Sequence, residues 1–481
     1  MPHEETTPQG AVSALKLQVG LFRQKIYQKG SCAMNSILRF ALGLVHTVIN
    51  SVRIEDDAIV ISVRPHKKHQ RRCPFCGCSC FVYDVMLKPR RWRALDLARS
   101  KCFLEYLTVR VDCPEHGVHV EAVPWARPRA RFTKDFEDRV AWMAVHCTQS
   151  AVAQECRVEW HTVGDICRRV YADLEAARGK GRYDGIRRIG IDETSHRKGH
   201  KYLTVVVDHD KGCLIWVGKG YGKEVLNQFL DELSREQRRA IEVVTADGAK
   251  WIKTLVKKRC PNARWFMDPF HVVMWMNDAL DAVRCEEWQV AKKAAKAAMP
   301  KRTRAGRPSK GDETPPEALA LKEEAESIKG SRYVLVKNPD DLTEGQRKKL
   351  VSLERAGSHL FRAWELKEDL RAVFQAKDAA EAALLLDDWL RRASRSRISQ
   401  VVEVNKKVRK RRDDIIAAVE LGISNARVEA INNKIKVTVK MGYGFRNTDN
   451  LIALLMLRCS DVKPVLPGRK ILSVPAVRKA A

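Results

Sequence analysis

The chain has 481 residues, 45% of them hydrophobic, which is enough to bury a core in several domains and excludes an intrinsically disordered chain. Lysine and arginine number 88 against 59 acidic residues, a formal charge of +29 carried along the whole length, and a field of that sign draws polyanions, nucleic acid first. No run of about 18 apolar residues could span a bilayer and no charged-then-apolar leader opens the sequence, so a cytoplasmic protein is expected, whose 14 cysteines are reduced thiols.

Residues 1–33 show no strong periodicity and are expected to be a loose extension. An amphipathic helix follows Met34, over SILRFALGLVHTVINSV, so Met34 competes with Met1 as the start of the compact protein. Arg53–Val63 then alternates as a strand. Cys73-Pro-Phe-Cys76-Gly77 is a C-x-x-C knuckle, and Cys113-Pro-Glu-His116 a C-x-x-H knuckle, with strands expected at Trp92–Leu97 and Phe103–Val111 between them. Two knuckles separated by strands is the layout of a zinc ribbon over 34–122: Cys73, Cys76, Cys113 and His116 give tetrahedral Zn²⁺ four ligands, and the metal replaces a core too small to form alone. Cys78, Cys80 and His119 crowd the site and are expected at ordinary core or surface positions.

Residues 123–180 open with VPWARPRARFT, whose Trp125, Arg127 and Arg131 suggest an extended basic strip along DNA or a solvated linker. Helices are expected at Asp135–His146 and Ser150–Cys156, and a third from Glu159 through His161, Arg168 and Arg169. Two helices joined by a tight turn, the second ending in arginines, make a helix-turn-helix pattern with those residues on the DNA side. From 181 to 286 the order is three strands (Arg188–Asp192, Lys201–Asp208, Cys213–Lys219), helix, strand, helix, strand, helix, which predicts a mixed sheet with helices on its faces. Residues 287–420 read as a helical insertion with an exposed loop near Pro300–Pro316, residues 421–462 as a returning helix and the end of the core, and 463–481 as a loose tail.

The returning helix spans Ile423–Lys440. Val428, Ile431 and Ile435 form its core face, while Glu429, Asn433 and Lys436 fall on another, at i, i+4 and i+7. Asp192 ends the first expected strand and Asp247 the fourth; if these strands are neighbours, two carboxylates meet and each favours protonation unless a cation intervenes. With Glu429 they would offer three hard oxygen donors suited to Mg²⁺ or Mn²⁺. Two such ions about 4 Å apart can activate a water or a 3′-hydroxyl and stabilise the leaving oxygen. Asp268, in MDPFHV, ends another strand at the same edge and is the rival second carboxylate.

The runs IGIDETSHRKGHKYLTVVVD, TADGAKW, MDPFHVV, NDALDAVR, SNARVEAINNKIK and GYGFRN, in that order, resemble the ISL-three (ISL3) family of bacterial insertion-sequence transposases, as do the CPFCG knuckle, VPWAR and the helix-turn-helix. The resemblance covers nearly everything from Met34 to Leu457. It implies a DDE transposase with an RNase H-like catalytic core, preceded by the zinc ribbon and the helix-turn-helix. Asp192, Asp247 and Glu429 match the acidic triad, with Asn433 and Lys436 in the motif after the glutamate. A C-x-x-H second knuckle departs from ribbons with a second cysteine pair and leaves the fourth ligand open. The expected partners are double-stranded DNA, as element ends and target, and a second copy of the chain on that DNA. The expected location is the bacterial cytoplasm, at the nucleoid. The rivals are a non-catalytic DNA-binding regulator and a metal-dependent nuclease or resolvase.

Overall fold

The structure, a computed structural model, describes residues 32–246, 250–267, 269–299, 315–422 and 426–469. Nearly all of the extension expected over 1–33, most of the loop near 300–316 and the tail beyond 469 lie outside the described residues, as do Asp247 and Asp268. Two compact units are present: Met1–Arg182 with Lys436–Ala481, and Tyr183–Ile435.

In the first unit, helix α1 (Cys32–Ala41) stops well short of the helix expected there. Gly43 follows at φ +59°, a left-handed turn that glycine adopts without steric cost. The β-branched run from Thr47 then enters strand β1 (Thr47–Glu55). The single strand expected over 53–63 is two. The chain reverses at Asp56 and Asp57 into β2 (Ala58–Pro65), with Glu55 paired to Ala58. After β3 (Phe81–Val85), β4 (Arg90–Leu97) and β5 (Ser100–Tyr106) pair antiparallel, and β6 (Val109–Cys113) and β7 (Gly117–Val120) follow. One sheet runs β1-β2-β5-β4 and a second runs β3-β6-β7. Ile61, Trp92, Leu104 and Trp125 fill the core of the first sheet.

Helices α2 (Lys134–His146), α3 (Gln149–Cys156) and α4 (Trp160–Arg178) complete this part. Thr133 and Thr148 cap α2 and α3, their hydroxyls accepting the N–H groups of Phe136 and Ala151. Arg157, in the left-handed conformation, turns the chain from α3 into α4.

In the second unit, β8 (Arg188–Arg197), β9 (Lys201–Asp208) and β10 (Cys213–Lys219) form an antiparallel meander. Then come α5 (Lys223–Glu232), α6 (Arg235–Ala240), β11 (Val243–Ala246), α7 (Lys250–Arg259), β12 (Arg264–Met267) and α8 (Pro269–Ala298). The sheet is mixed, ordered β10-β9-β8-β11-β12, with β11 parallel to both β8 and β12. Ile189, Ile191, Val206, Phe229, Val244 and Met276 are buried in its core. The region after α8 is helical: α9 (Pro316–Lys329), α10 (Arg332–Val336), α11 (Glu344–Arg355), α12 (His359–Val373), α13 (Ala379–Ser394), α14 (Ser399–Arg409) and α15 (Arg412–Glu420). Leu366, Leu386, Trp389 and Val401 join their core to that of the sheet, and Trp389 Nε1 donates to the Leu366 carbonyl at 2.7 Å.

Helix α16 (Ala426–Met441) returns to the sheet. Its Val428, Ile431 and Ile435 are buried, the core face expected of it. The last helix, α17 (Thr448–Cys459), belongs to the first unit, where Leu454 and Leu457 pack with Val140, Val163 and Ile166. Among the described residues no helix is long and apolar enough to cross a membrane.

Gly190 lets α16 approach β8. A Cβ there would lie 2.5 Å from Val428 Cγ2 and 2.9 Å from His209 Nε2. Gly190→Ala is therefore expected to push the helix off the strand and destabilise the protein by about 1–3 kcal/mol, the usual cost of overpacking. Thermal denaturation would read it, and an unchanged melting temperature would contradict the close approach.

Candidate functional site

Asp192 is not at the end of its strand: β8 runs on to Arg197, with Asp192 paired to Val205 of β9. On its other side β11 pairs with β8 only from Arg188 to Gly190, so Asp192 stands just past the shared parallel stretch. Ligands of open α/β sheets gather beyond the carboxyl ends of parallel strands. Asp192 Oδ1 accepts the N–H of Glu193 at 2.7 Å, and Oδ2 accepts Asn432 Nδ2 at 2.5 Å.

Asn432 lies one helical turn after Glu429 on α16 and is buried, and its Oδ1 has no hydrogen-bond partner among the described residues. Glu429 is half-buried, while Asn433 and Lys436 are exposed. Asn432 is thus the residue that sequence reasoning missed. A Glu-x-x-Asn and a Glu-x-x-x-Asn spacing both put the amide on the face of the glutamate, and periodicity alone cannot choose between adjacent asparagines. Glu193 braces the loop after β10, its Oε1 accepting the N–H of Gly222 at 2.8 Å.

In the first unit, the amino-terminal knuckle is the turn of a small hairpin. Cys73 N–H donates to the Cys78 carbonyl at 2.9 Å, Gly77 N–H to the Cys73 carbonyl at 3.0 Å, and Phe75 N–H points at Cys73 Sγ at 3.5 Å. Cys113 closes β6, and His116 stands in the turn to β7. The ligand atoms of Cys73, Cys76, Cys113 and His116 all lie within 4.8 Å of one another. Cys113 Sγ is 3.7 Å from Cys76 Sγ and 3.6 Å from His116 Nδ1, and Cys73 Sγ is 3.8 Å from that nitrogen. Zinc–sulfur bonds of about 2.3 Å in a tetrahedron give edges of about 3.8 Å, so the donor set fits a structural zinc ion. The His116 ring draws the Cys113 thiol down to about 5, toward the thiolate a metal needs. Cys78 and Cys80, expected at ordinary positions, form a second group with Cys113, also within 4.8 Å. They lie two residues apart on the segment leaving the knuckle, either side of Ser79, which bridges to Arg72.

The residues expected to contact DNA divide sharply. His161, Arg168 and Arg131 are exposed, as is Trp160 at the start of α4. Trp125 is instead buried in the core of the first sheet, edge-on to Trp92. Arg127 is buried too, bound to Asp173 at 2.9 Å, Asp138 at 2.7 Å and Glu137 at 3.3 Å. Arg169 bonds to Glu137 at 2.8 Å. These three were expected to face DNA, and the structure gives each another partner: Trp125 packs on Trp92, while Glu137, which has no exposure and needs cations beside it, holds Arg127 and Arg169. Burial pushes the Glu137 carboxyl up, opposed by Arg169 and Arg127. Arg127→Met is therefore expected to destabilise the first unit by about 3–5 kcal/mol, because it strands buried carboxylates. Denaturation followed by tryptophan fluorescence would show it, and a loss of DNA affinity with unchanged stability would contradict this role.

Comparison with known proteins fits this layout. Residues 189–455 match the transposase family model of the ISL3 group, and residues 121–171 match the helix-turn-helix domain of transposase family ISL3. The chain is 42% identical over 440 residues to the transposase for insertion sequence element IS1557 of Mycobacterium tuberculosis, covering 90% of this chain and 97% of that one. It is 26% identical over 384 residues to the transposase for insertion sequence element IS1001 of Bordetella parapertussis, covering 78% of this chain and 86% of that one.

Proposed function

The chain belongs to the ISL3 family of transposases, and on that premise we propose that it cuts DNA at the ends of an insertion sequence and joins them to new DNA through a carboxylate triad on an RNase H-like core. The triad is Asp192, Asp247 and Glu429. One observation carries the reading: the Asn432–Asp192 hydrogen bond ties the helix that bears Glu429 to the strand that bears Asp192. Two others support it. The sheet order, three antiparallel strands then two parallel ones on the far side of the first, supports an RNase H-like core. The residue after β11 in sequence is Asp247, and β11 is the parallel neighbour of β8. Asp268 follows β12, one strand farther out, and is the less favoured second carboxylate.

Asp192 and Glu429, with Asp247, would hold Mg²⁺ or Mn²⁺, and hard oxygen donors fit those ions. Asn432 Oδ1, without a hydrogen-bond partner among the described residues, would offer a further such oxygen. When bound, the ions neutralise phosphate charge and lower the cost of forming the nucleophile and expelling the leaving oxygen. The chain's own part is to orient. Asn432 and the Glu193 N–H fix both Asp192 oxygens, and the packing of Val428 on Gly190 fixes the height of α16. Water first attacks phosphorus, forming one P–O bond and breaking the bond to O3′. The freed 3′-hydroxyl then attacks a target phosphodiester in line, again exchanging one P–O bond for another. An element has two ends, so two copies of the chain would act together.

The test is incubation of the purified chain with DNA carrying the flanks of its own gene, plus target plasmid and Mg²⁺. Nicked ends and joined products support the reading. Binding without cleavage would favour a regulator, and cleavage without joined products a nuclease. Asn432→Ala is expected to lower cleavage about 10–100-fold and to raise the Mg²⁺ needed for half-maximal rate, as loss of an orienting partner does. An unchanged Mg²⁺ dependence would remove it from the site.

A further inference from the structure

A groove of about 600 Å³ in the first unit is lined by Arg90, Arg91, Arg93, Arg129, Arg131 and Arg157, with Glu159 the one acid among its described lining residues. Half of these arginines are committed. Arg91 pairs with Glu105 at 2.7 Å and Glu55 at 2.8 Å, while Arg93 and Arg157 share Asp96. No ion pair joins Arg90, Arg129 or Arg131 to a carboxylate among the described residues. Arg90 is half-buried, and burial together with the Arg131 charge pushes its pKa down. Arg90, Arg129 and Arg131 with a single lining acid, Glu159, leave the groove with a net positive field that attracts a polyanion.

The basic strip is built into this groove. Arg93 N–H donates to the Arg131 carbonyl and Thr133 N–H to the Arg93 carbonyl, both at 2.9 Å, so the strip lies as an extra segment along β4. Arg90 donates to the Ala130 carbonyl at 2.6 Å. Arg129 sits at φ +60°, a left-handed conformation unfavourable for arginine, and such strain gathers where function needs it. The other wall is Val158, Glu159 and Thr162, the turn and first turn of α4. Arg157 fastens that turn to the β4–β5 hairpin through Asp96 and the Arg99 carbonyl, the latter at 3.0 Å.

We propose that this groove grips the phosphate backbone of duplex DNA beside the helix-turn-helix, with Arg90, Arg129 and Arg131 as the contacts and α4 reading the adjacent bases. The inference rests on the DNA-binding reading above and deepens it. Phosphate contacts set register without carrying sequence, and exposed His161 and Arg168 on α4 are left to discriminate. The groove therefore supplies affinity and the helix supplies choice.

Arg129→Gln/Arg131→Gln, both at exposed positions, tests this in the full-length chain by fluorescence anisotropy across a salt series, with element-end and scrambled duplexes. Each lost phosphate contact lowers the slope of log affinity against log salt by about 0.9, so the double variant should lose about 1.8. Its affinity at about 0.15 M salt should fall about thirty-fold on both duplexes, the counterion-release contribution of two phosphates. Arg129→Lys/Arg131→Lys should keep the slope, and all variants should melt like the parent. An unchanged slope, or a loss confined to the element end, overturns the groove while leaving DNA binding intact. If the parent chain binds neither duplex, the DNA-binding reading itself falls, and the groove with it.

Discussion

Asp192→Asn and Glu429→Gln are each expected to lower cleavage of an element end by about a thousandfold or more while leaving DNA affinity unchanged. The size follows from the proposed role: metal stabilisation of transition-state charge is worth several kcal/mol, and about 1.4 kcal/mol is a factor of ten in rate. The shape follows from geometry. Both substitutions conserve volume, an asparagine at 192 still accepts the Glu193 N–H though its amide nitrogen now faces the Asn432 amide, and Glu429 is only half-buried, so neither change removes packing. If the triad is assembled as proposed, removing one of its charges relieves repulsion, so the metal-free Glu429→Gln variant should melt no lower than the parent. Gel assays of end cleavage beside anisotropy of the same DNA separate the two quantities. Cleavage within tenfold of the parent at either position would sink that residue's assignment. Asp247→Asn and Asp268→Asn, compared in the same assay, decide which carboxylate completes the triad: the triad member loses activity as Asp192→Asn does, and the other retains most of it.

Local chemistry was legible in the sequence where it is carried by spacing. The two knuckles, the helix-turn-helix with its turn at Arg157 and Val158, and the strand order from Arg188 onward could be read from motif and period, because each depends on residues close in sequence. Partnership across sequence distance could not. Nothing local in VPWARPRARFT says that Trp125 meets Trp92 or that Arg127 meets Asp173, since the same arginines and tryptophan would suit an exposed strip equally well. Arg129 and Arg131, from the same eleven residues, do remain exposed. The difference is set by Asp138, Asp173 and Glu137, which together surround Arg127 and leave Arg129 and Arg131 to solvent. Asn432 was hidden for a similar reason: which of two adjacent amides faces Asp192 is fixed by the seat of Val428 on Gly190, a contact between positions 238 residues apart. The helix expected through residue 52 failed locally. Gly43 and the β-branched Thr47, Val48 and Ile49 were visible, but the apolar run before them masked the break.

Removing the metal from the cysteine cluster should have an effect of comparable size on binding instead of chemistry. The β3-β6-β7 sheet has few buried apolar side chains, Val111 chief among them, beside the buried Cys73, Cys80 and Cys113. A structural zinc ion contributes about 10–16 kcal/mol of binding free energy in small domains of this kind, far more than such a core supplies. The cluster is also wired to the arginine strip. Ala122 N–H donates to the Arg72 carbonyl at 2.8 Å, and Glu121 accepts Arg71 N–H at 2.9 Å and the Tyr106 hydroxyl at 3.1 Å. Loss of the ion should therefore loosen the knuckle hairpin and, through residues 121 and 122, the segment that presents Arg129 and Arg131. Chelation, or Cys113→Ser at the thiol shared by both ligand groups, is expected to release the bound zinc and weaken duplex binding about a hundredfold or more, the effect of giving up several phosphate contacts. Cys78→Ser, outside the four-ligand group, should keep one zinc per chain by elemental analysis and bind DNA as the parent does. If Cys78→Ser instead loses the ion while Cys76→Ser keeps it, the second group is the true site. The strip would then hang from the hairpin's outgoing arm instead of its turn.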